Sequence, residues 1–184
     1  GLLVAALRPP GQRMVLLSKL DETLLCNGAS YDLGCNQYPG TFSPCGQQYI
    51  EKFTILPFPT WSYRAGLIAL EKQIGAIHGE NTTVLHYHLR EAPGPVEMLL
   101  RPFSAVRDYH SLQHANDHVR RDAPFQNSTL ALRLYDGTPT FYLSVPGAAF
   151  DYAPYWYYHF QYAQDQARGL DYDEDLFSHG ASRV

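Results

Sequence analysis

Cysteine is scarce in this chain, and its three copies, Cys26, Cys35 and Cys45, form an odd set without a CxxC pair. That argues against a disulfide framework and a cysteine-rich zinc site, and it makes a reducing cytoplasm the expected home. Long apolar runs are also missing. The longest, GLLVAAL at Gly1 to Leu7, is far below the ~20 residues that span a bilayer, and it carries no basic leader or signal-cleavage pattern. A membrane is therefore not an expected partner. Positive charge is in deficit, with 14 Lys and Arg against 18 Asp and Glu and a net charge of -4. No basic patch or arginine-rich helix follows a phosphate backbone, which removes nucleic acid from the expected partners. There is no G-x-S-x-G elbow, P-loop or dinucleotide-type glycine loop, so no cofactor is expected.

What is present is a chain of 184 residues, enough for one domain that buries roughly two-thirds of its unfolded surface. Aromatic residues reach 14%, including 14 tyrosines, a high share that calls for an explanation. Apolar residues repeat with a period of two. In TTVLHYHL, Leu85, Tyr87 and Leu89 point one way and Val84, His86 and His88 the other. In STLALRLY, Leu130, Leu132 and Leu134 share a face, and in PTFYLSV so do Phe141, Leu143 and Val145. Such alternation predicts strands with one buried face, and QQYIEKFTILP, TWSYRAGLIALEKQIGAIHG and PVEMLLRPFSAV extend the series.

Turn-rich breaks such as NGASYDLG, YPGTFSPCG, HGENTT, EAPGP and YDGTP separate these runs, and Ala65-Gly66 predicts a tight hairpin between Tyr63 and Leu67. The pattern predicts an all-β fold, an antiparallel β-sandwich with long irregular loops and little helix. Long 3.6-period stripes are lacking; the helical candidates are SLQHANDHVRR and FQYAQDQARGL. Two regions break the strand rhythm, Arg107 to Gln126 and Asp151 to Gly180, and irregular connections of that length point to function or an interface. The first residue is Gly1 rather than methionine, and GLLVAAL reads as a core strand already under way, so the expectation is a single domain over 1–184 that lacks its true beginning.

Four groups of residues invite chemistry. His86 and His88 share a strand face with His78 upstream, and His110, His114 and His118 have the spacing that stacks side chains along a helix. Neither set has a carboxylate or cysteine at zinc-motif spacing, so no metal site is expected. RDYHSLQHAND, Arg107 to Asp117, mixes a guanidinium, a carboxylate, a phenol and an imidazole, the groups a sugar site uses; a turn in which Asp108 pairs with Arg107 or caps a backbone is the competing reading. Asp171, Asp173, Glu174 and Asp175 suggest a glycosidase, but paired glycosidase carboxylates face each other from separate elements at ~5 to 10 Å. One crowded segment reads better as solvated or helix-capping. NTT at Asn81 and NST at Asn127 match the N-glycosylation pattern and read more simply as turns.

The order of the longer motifs carries more than any one of them. LLSKLDETLL, YDLGCNQYPG, PFPTWSY, EKQIGAIHGENTTVLHYHL, LRPFSAVRDYHSLQHAN, YDGTP and WYYHFQYAQDQARGLDYDEDLFSHG, spread from Leu16 to Gly180, together resemble the N-terminal domain of bacterial and archaeal glycogen debranching enzymes of the amylo-α-1,6-glucosidase type. The resemblance implies a supersandwich-like β domain, as in glucoamylase-type enzymes, ahead of an α/α toroid that hydrolyses α-1,6 branch points in glycogen. It places the catalytic carboxylates in that toroid, so this chain is expected to be non-catalytic, with the toroid and glycogen or a branched α-glucan as partners. The family's lead into GLLVAAL is not seen, and further strands are expected after Val184, so truncation at both ends is the expectation.

Under that resemblance, the aromatic and acidic segment Tyr152 to Gly180 is the sandwich side of the joint with the toroid. Trp156, Tyr157 and Tyr158 are the expected anchors, and Arg168 with Asp171 or Asp175 the polar clamps. With Arg107, Asp108, Tyr109 and His110, part of it is also a candidate for the rim of the substrate cleft. Two alternatives stay open: an independent carbohydrate-binding module, and a β-barrel enzyme that holds a metal on its histidines.

Overall fold

The computed structural model describes residues 1–9 and 11–184. Strand β1 (Leu3–Arg8) turns back into the 15-residue β2 (Gln12–Cys26). Asn27 and Gly28, both at positive φ, then form the two-residue loop to β3 (Ala29–Asp32), as the right-handed strand twist favours. Strands β4 (Cys35–Tyr38) and β5 (Thr41–Cys45) make a separate ribbon. After one 3-10 turn, β6 (Ile50–Thr54), β7 (Thr60–Ala65), β8 (Ile68–Ala76) and β9 (Thr83–Glu91) meander as a four-stranded sheet. The chain returns to β2 as β10 (Glu97–Asp108). It then builds a three-stranded sheet from β11 (Phe125–Gln126), β12 (Thr129–Leu132) and β13 (Phe141–Ser144). Strand β14 (Ala149–Gln161), the short helix α1 (Ala163–Ala167) and β15 (Asp173–Arg183) complete the first sheet in the order β1-β2-β10-β15-β14, with β3 beside β2.

All strand pairs are antiparallel, and the layers form a β-sandwich. The three-stranded sheet brings Leu130, Leu132 and Phe141 onto Leu16, Val106, Trp156 and Phe177 of the main sheet. The four-stranded sheet brings Tyr63, Ala65, Ile68 and Leu70 onto Leu24 and Cys26. A third cluster, Val15, Phe103, Ala105, Phe160 and Leu176, is met by Tyr38 of the ribbon. One ionic bolt crosses the second layer. Glu22 of β2, 3% exposed, accepts from Lys72 of β8 at 2.5 Å and from the Tyr87 hydroxyl of β9 at 2.6 Å. Burial, with Glu22 nearby, pushes the Tyr63 phenol up to about 12.

The alternating strands stand where the sequence predicts them, and the structure corrects four local expectations. The hairpin is one residue later than predicted: Ala65 pairs with Ile68, and Gly66 takes the positive φ. SLQHANDHVRR is not helical. FQYAQDQARGL yields only the five residues of α1. Asp151 to Gly180 is not an irregular connection but most of β14 and β15, and three of its acids, Asp173, Glu174 and Asp175, begin a strand rather than crowd a loop. The reason is physical. Register shifts between Tyr152 and Tyr155 and between Tyr157 and Phe160 break the period-two phase twice in β14. Strand β15 is buried from Glu174 to Ser182, so both faces are covered and no alternation survives.

Candidate functional site

Two features converge on the β14–β15 end of the main sheet: a network of buried carboxylates and an exposed aromatic face. Glu174 is fully buried. Its carboxylate receives a two-pronged contact from Arg107 at the end of β10, through Nε and through Nη2 at 3.3 Å. It also accepts from the Tyr162 hydroxyl and from the Gln113 backbone N–H at 3.1 Å. Burial and the neighbouring Glu174 charge raise the Tyr162 phenol, keeping it a donor. Asp175 accepts from the backbone N–H of Ala115 and of His159, each at 2.9 Å. The two acids thereby fasten the segment after β10 to the β14–β15 hairpin.

That fastening explains why SLQHANDHVRR forms no helix. The N–H groups of Gln113 and Ala115 go to carboxylates, and those of His110 and His118 go to the side chains of Asp108 and Asn116. Gln113 and Asn116 both donate to the Tyr135 hydroxyl, at 2.8 and 2.9 Å. His110, His114 and His118 consequently do not stack, and each is exposed.

The predicted site residues divide into four groups. Arg107 and Asp175 lie in the carboxylate network. Asp108, Tyr109 and His110 form an exposed turn beside it, where the His110 backbone N–H, then its side chain, hold the Asp108 carboxyl below its usual range. Trp156 is 5% exposed and packs edge-on against Phe177 in the chain's own core, its indole N–H donating to the Asn116 carbonyl at 3.2 Å. Tyr157 is half-buried against Phe103, with Arg101 over its ring at 5.8 Å. Tyr158 is exposed. Arg168 and Asp171 are exposed in the α1–β15 connection and make no ion pair among the described residues.

The sequence reading missed Tyr155, which is 62% exposed and stands edge-on to both Tyr157 and Tyr158 at 6.0 and 6.4 Å. Its signal was the tyrosine spacing, masked by the bulges. Beside this face lies a groove of about 240 Å³ with Asp21, Thr23, Asn36, Tyr38, Arg101 and Tyr157 in its lining. Asn36 of the ribbon donates to Asp21 at 2.9 Å, and Lys19 pairs with Asp21 at 2.7 Å. Burial, then the Asp21 charge, raises the Tyr38 phenol.

His159, Asp173 and Asp175 bring possible metal-ligand atoms within 4.8 Å of one another. These atoms already have partners within the chain. His159 Nδ1 contacts Asp173 at 3.0 Å, which raises the imidazole, and each Asp175 oxygen receives a backbone N–H.

Fold and site define a class: an antiparallel β-sandwich whose buried acids are structural clamps and whose exposed surface is aromatic. A family model described as glycogen debranching enzyme N terminal matches residues 1–184, and the chain belongs to that family. No curated protein matches it, and no solved structure does. Among the described residues, no helix is long and apolar enough to cross a membrane.

Proposed function

We propose that this chain is the non-catalytic N-terminal domain of a glycogen debranching enzyme that packs on an α/α toroid and contributes to the rim of its substrate cleft. One observation carries the reading. The two buried acids of the group that suggested glycosidase chemistry are engaged internally, with Glu174 held by Arg107, Tyr162 and Gln113, and Asp175 by Ala115 and His159, while Asp171 stands exposed away from them. An acid and a base for glycoside cleavage have to flank a substrate bond, whereas Glu174 and Asp175 are adjacent on one strand and buried. The docking face in this reading is Tyr155, Tyr157 and Tyr158 with Arg101, because aromatic residues and arginine are the side chains enriched at protein interfaces. Strand β14 is one edge of the main sheet among the described residues, so its outer backbone edge lies beside that aromatic face, where a neighbour could pair with it.

A carbohydrate-binding module is the second reading, favoured by the groove that sets Asp21, Asn36 and Arg101 between Tyr38 and Tyr157. The chain alone, incubated with an α-1,6-branched glucan, is expected to release no glucose. Release that is lost in Asp171→Asn or Glu174→Gln would overturn the non-catalytic reading. Co-sedimentation of the chain alone with glycogen, reduced by Tyr157→Ala, would favour the second.

A further inference from the structure

Cys35 and Cys45 take no part in the site above, yet the ribbon places them directly opposite each other. They are register partners at the open end of the β4–β5 pair. Opposed residues in an antiparallel pair have Cα atoms about 4.5 to 5.5 Å apart and share a face, inside the roughly 4.4 to 6.8 Å span of a disulfide. Both thiols are free and exposed. We propose that Cys35 and Cys45 form a reversible disulfide site that staples the ribbon across the outer face of the main sheet.

The alternation of β4 makes the staple compatible with the fold. Cys35 points to solvent, while Asn36 and Tyr38 face the sheet, Asn36 toward Asp21 and Tyr38 against Phe160 at 5.1 Å. A bond on the solvent side leaves those contacts in place. The Cys45 thiol donates to the Phe42 carbonyl at 3.2 Å, and a side-chain rotation releases it. Cys26 is buried in the second layer and is not a competitor. A two-stranded ribbon is marginal by itself, and this one roofs the groove lined by Asp21, Asn36 and Tyr38, so closing its open end fixes the groove's wall.

The oxidant is a low-molecular-weight disulfide such as oxidised glutathione. One cysteine loses its proton, and its thiolate attacks a sulfur of that disulfide, breaking the S–S bond and expelling one glutathione thiolate. The second cysteine, deprotonated in turn, attacks the protein-bound sulfur and expels the other. Two protein thiols are oxidised, and one small disulfide is reduced to two thiols. In a reducing compartment such an exposed pair closes transiently; in an oxidising one it stays closed.

The test is to treat the protein with oxidised glutathione, alkylate it in denaturant and map the peptides. A Cys35–Cys45 linked peptide lighter by two hydrogens is expected, with titratable thiols falling from three to one and returning to three with dithiothreitol. Cys26→Ser should leave the link intact. Cys35→Ser should leave Cys45 holding glutathione, an adduct that the natural chain clears by ring closure. Stable glutathione on both Cys35 and Cys45 of the natural chain, or a link only between chains, would overturn the proposal.

Discussion

Arg107 and Glu174 meet across the β10–β15 pair as a guanidinium fork on a carboxylate, with the acid fully buried and the arginine side chain 12% exposed. Glu174→Gln retains the shape but leaves the arginine charge uncompensated. Breaking a buried pair in this way costs about 3 to 5 kcal/mol. The midpoint of urea unfolding should fall accordingly with little change in slope. A loss below about 1 kcal/mol would mean that the pair behaves as a surface bridge and the network is not what holds the loop.

The parts of the fold that were legible in the sequence are those with one dry face and one wet face. Leu130 and Leu132 announce β12, with Leu134 carrying the alternation just past its end, because their neighbours are less buried. Strand β15 gives no such signal, since Glu174, Asp175, Ser178, His179 and Ser182 are all buried polar residues, and the partners of Glu174, Asp175 and His179 come from distant positions such as Arg107, Gln113, Ala115 and Arg120. The aromatic segment was legible as composition but not as geometry. Alternation turns Trp156 inward and Tyr155 out, but the register shift after Tyr157 keeps Tyr158 from following Trp156 inward, and no local pattern reports a bulge.

Trp156 packs on Phe177 within this chain, so Trp156→Ala should destabilise the chain itself by about 3 to 5 kcal/mol. It also leaves the Asn116 carbonyl without its indole donor. The control, His114→Ala, alters an exposed side chain and should stay within about 0.5 kcal/mol. Chemical denaturation of both variants measures the difference. Equal stabilities would contradict the core placement of the indole.

Two glycines should resist substitution for a steric reason. A Cβ on Gly46 would lie 2.1 Å from the Leu33 carbonyl oxygen, and one on Gly180 would lie 2.0 Å from that of Asp151, where φ is also +140°. Backbone cannot yield as a side-chain tip can, so Gly46→Ala and Gly180→Ala should each cost at least about 1 to 3 kcal/mol. Gly137, which also has positive φ but open space, separates the two effects: Gly137→Ala should cost only about 1 kcal/mol. Thermal melts that rank Gly137→Ala worst would refute the packing argument.

Acid should weaken the fold through His179. Burial pushes its imidazole below the ordinary 6.5, and Nε2 donates to the Arg120 carbonyl at 3.1 Å. As pH falls below the unfolded value, the unfolded chain takes up a proton that the folded chain refuses, so stability declines until the folded pKa is reached. His159 has the opposite sign: its imidazole is raised by Asp173, and its contribution is full below the unfolded pKa and lost as pH rises through the folded one. Being exposed, it is screened by solvent. Urea midpoints should therefore drop between about pH 7 and pH 5, with a slope of at most ~1.4 kcal/mol per pH unit from this proton, and drop less in His179→Gln. An identical slope in the variant would remove His179 as the cause.

Tyr155 and Tyr158 put the proposed docking face to its sharpest test. They are 62% and 46% exposed, so replacing both with serine should change the stability of the chain alone by no more than about 0.5 kcal/mol per site. In a protein that also carries the catalytic toroid, the same pair should behave as aromatic interface anchors, at about 2 kcal/mol or more. The loss should appear as separated unfolding transitions and a lower debranching turnover. If stability and turnover hold but glycogen binding weakens, these rings are a sugar platform, and the groove between Tyr38 and Tyr157 becomes the centre of function. If none of the three measurements moves, both roles fail. Tyr155 and Tyr158 would then do no more than shield the edge of β14.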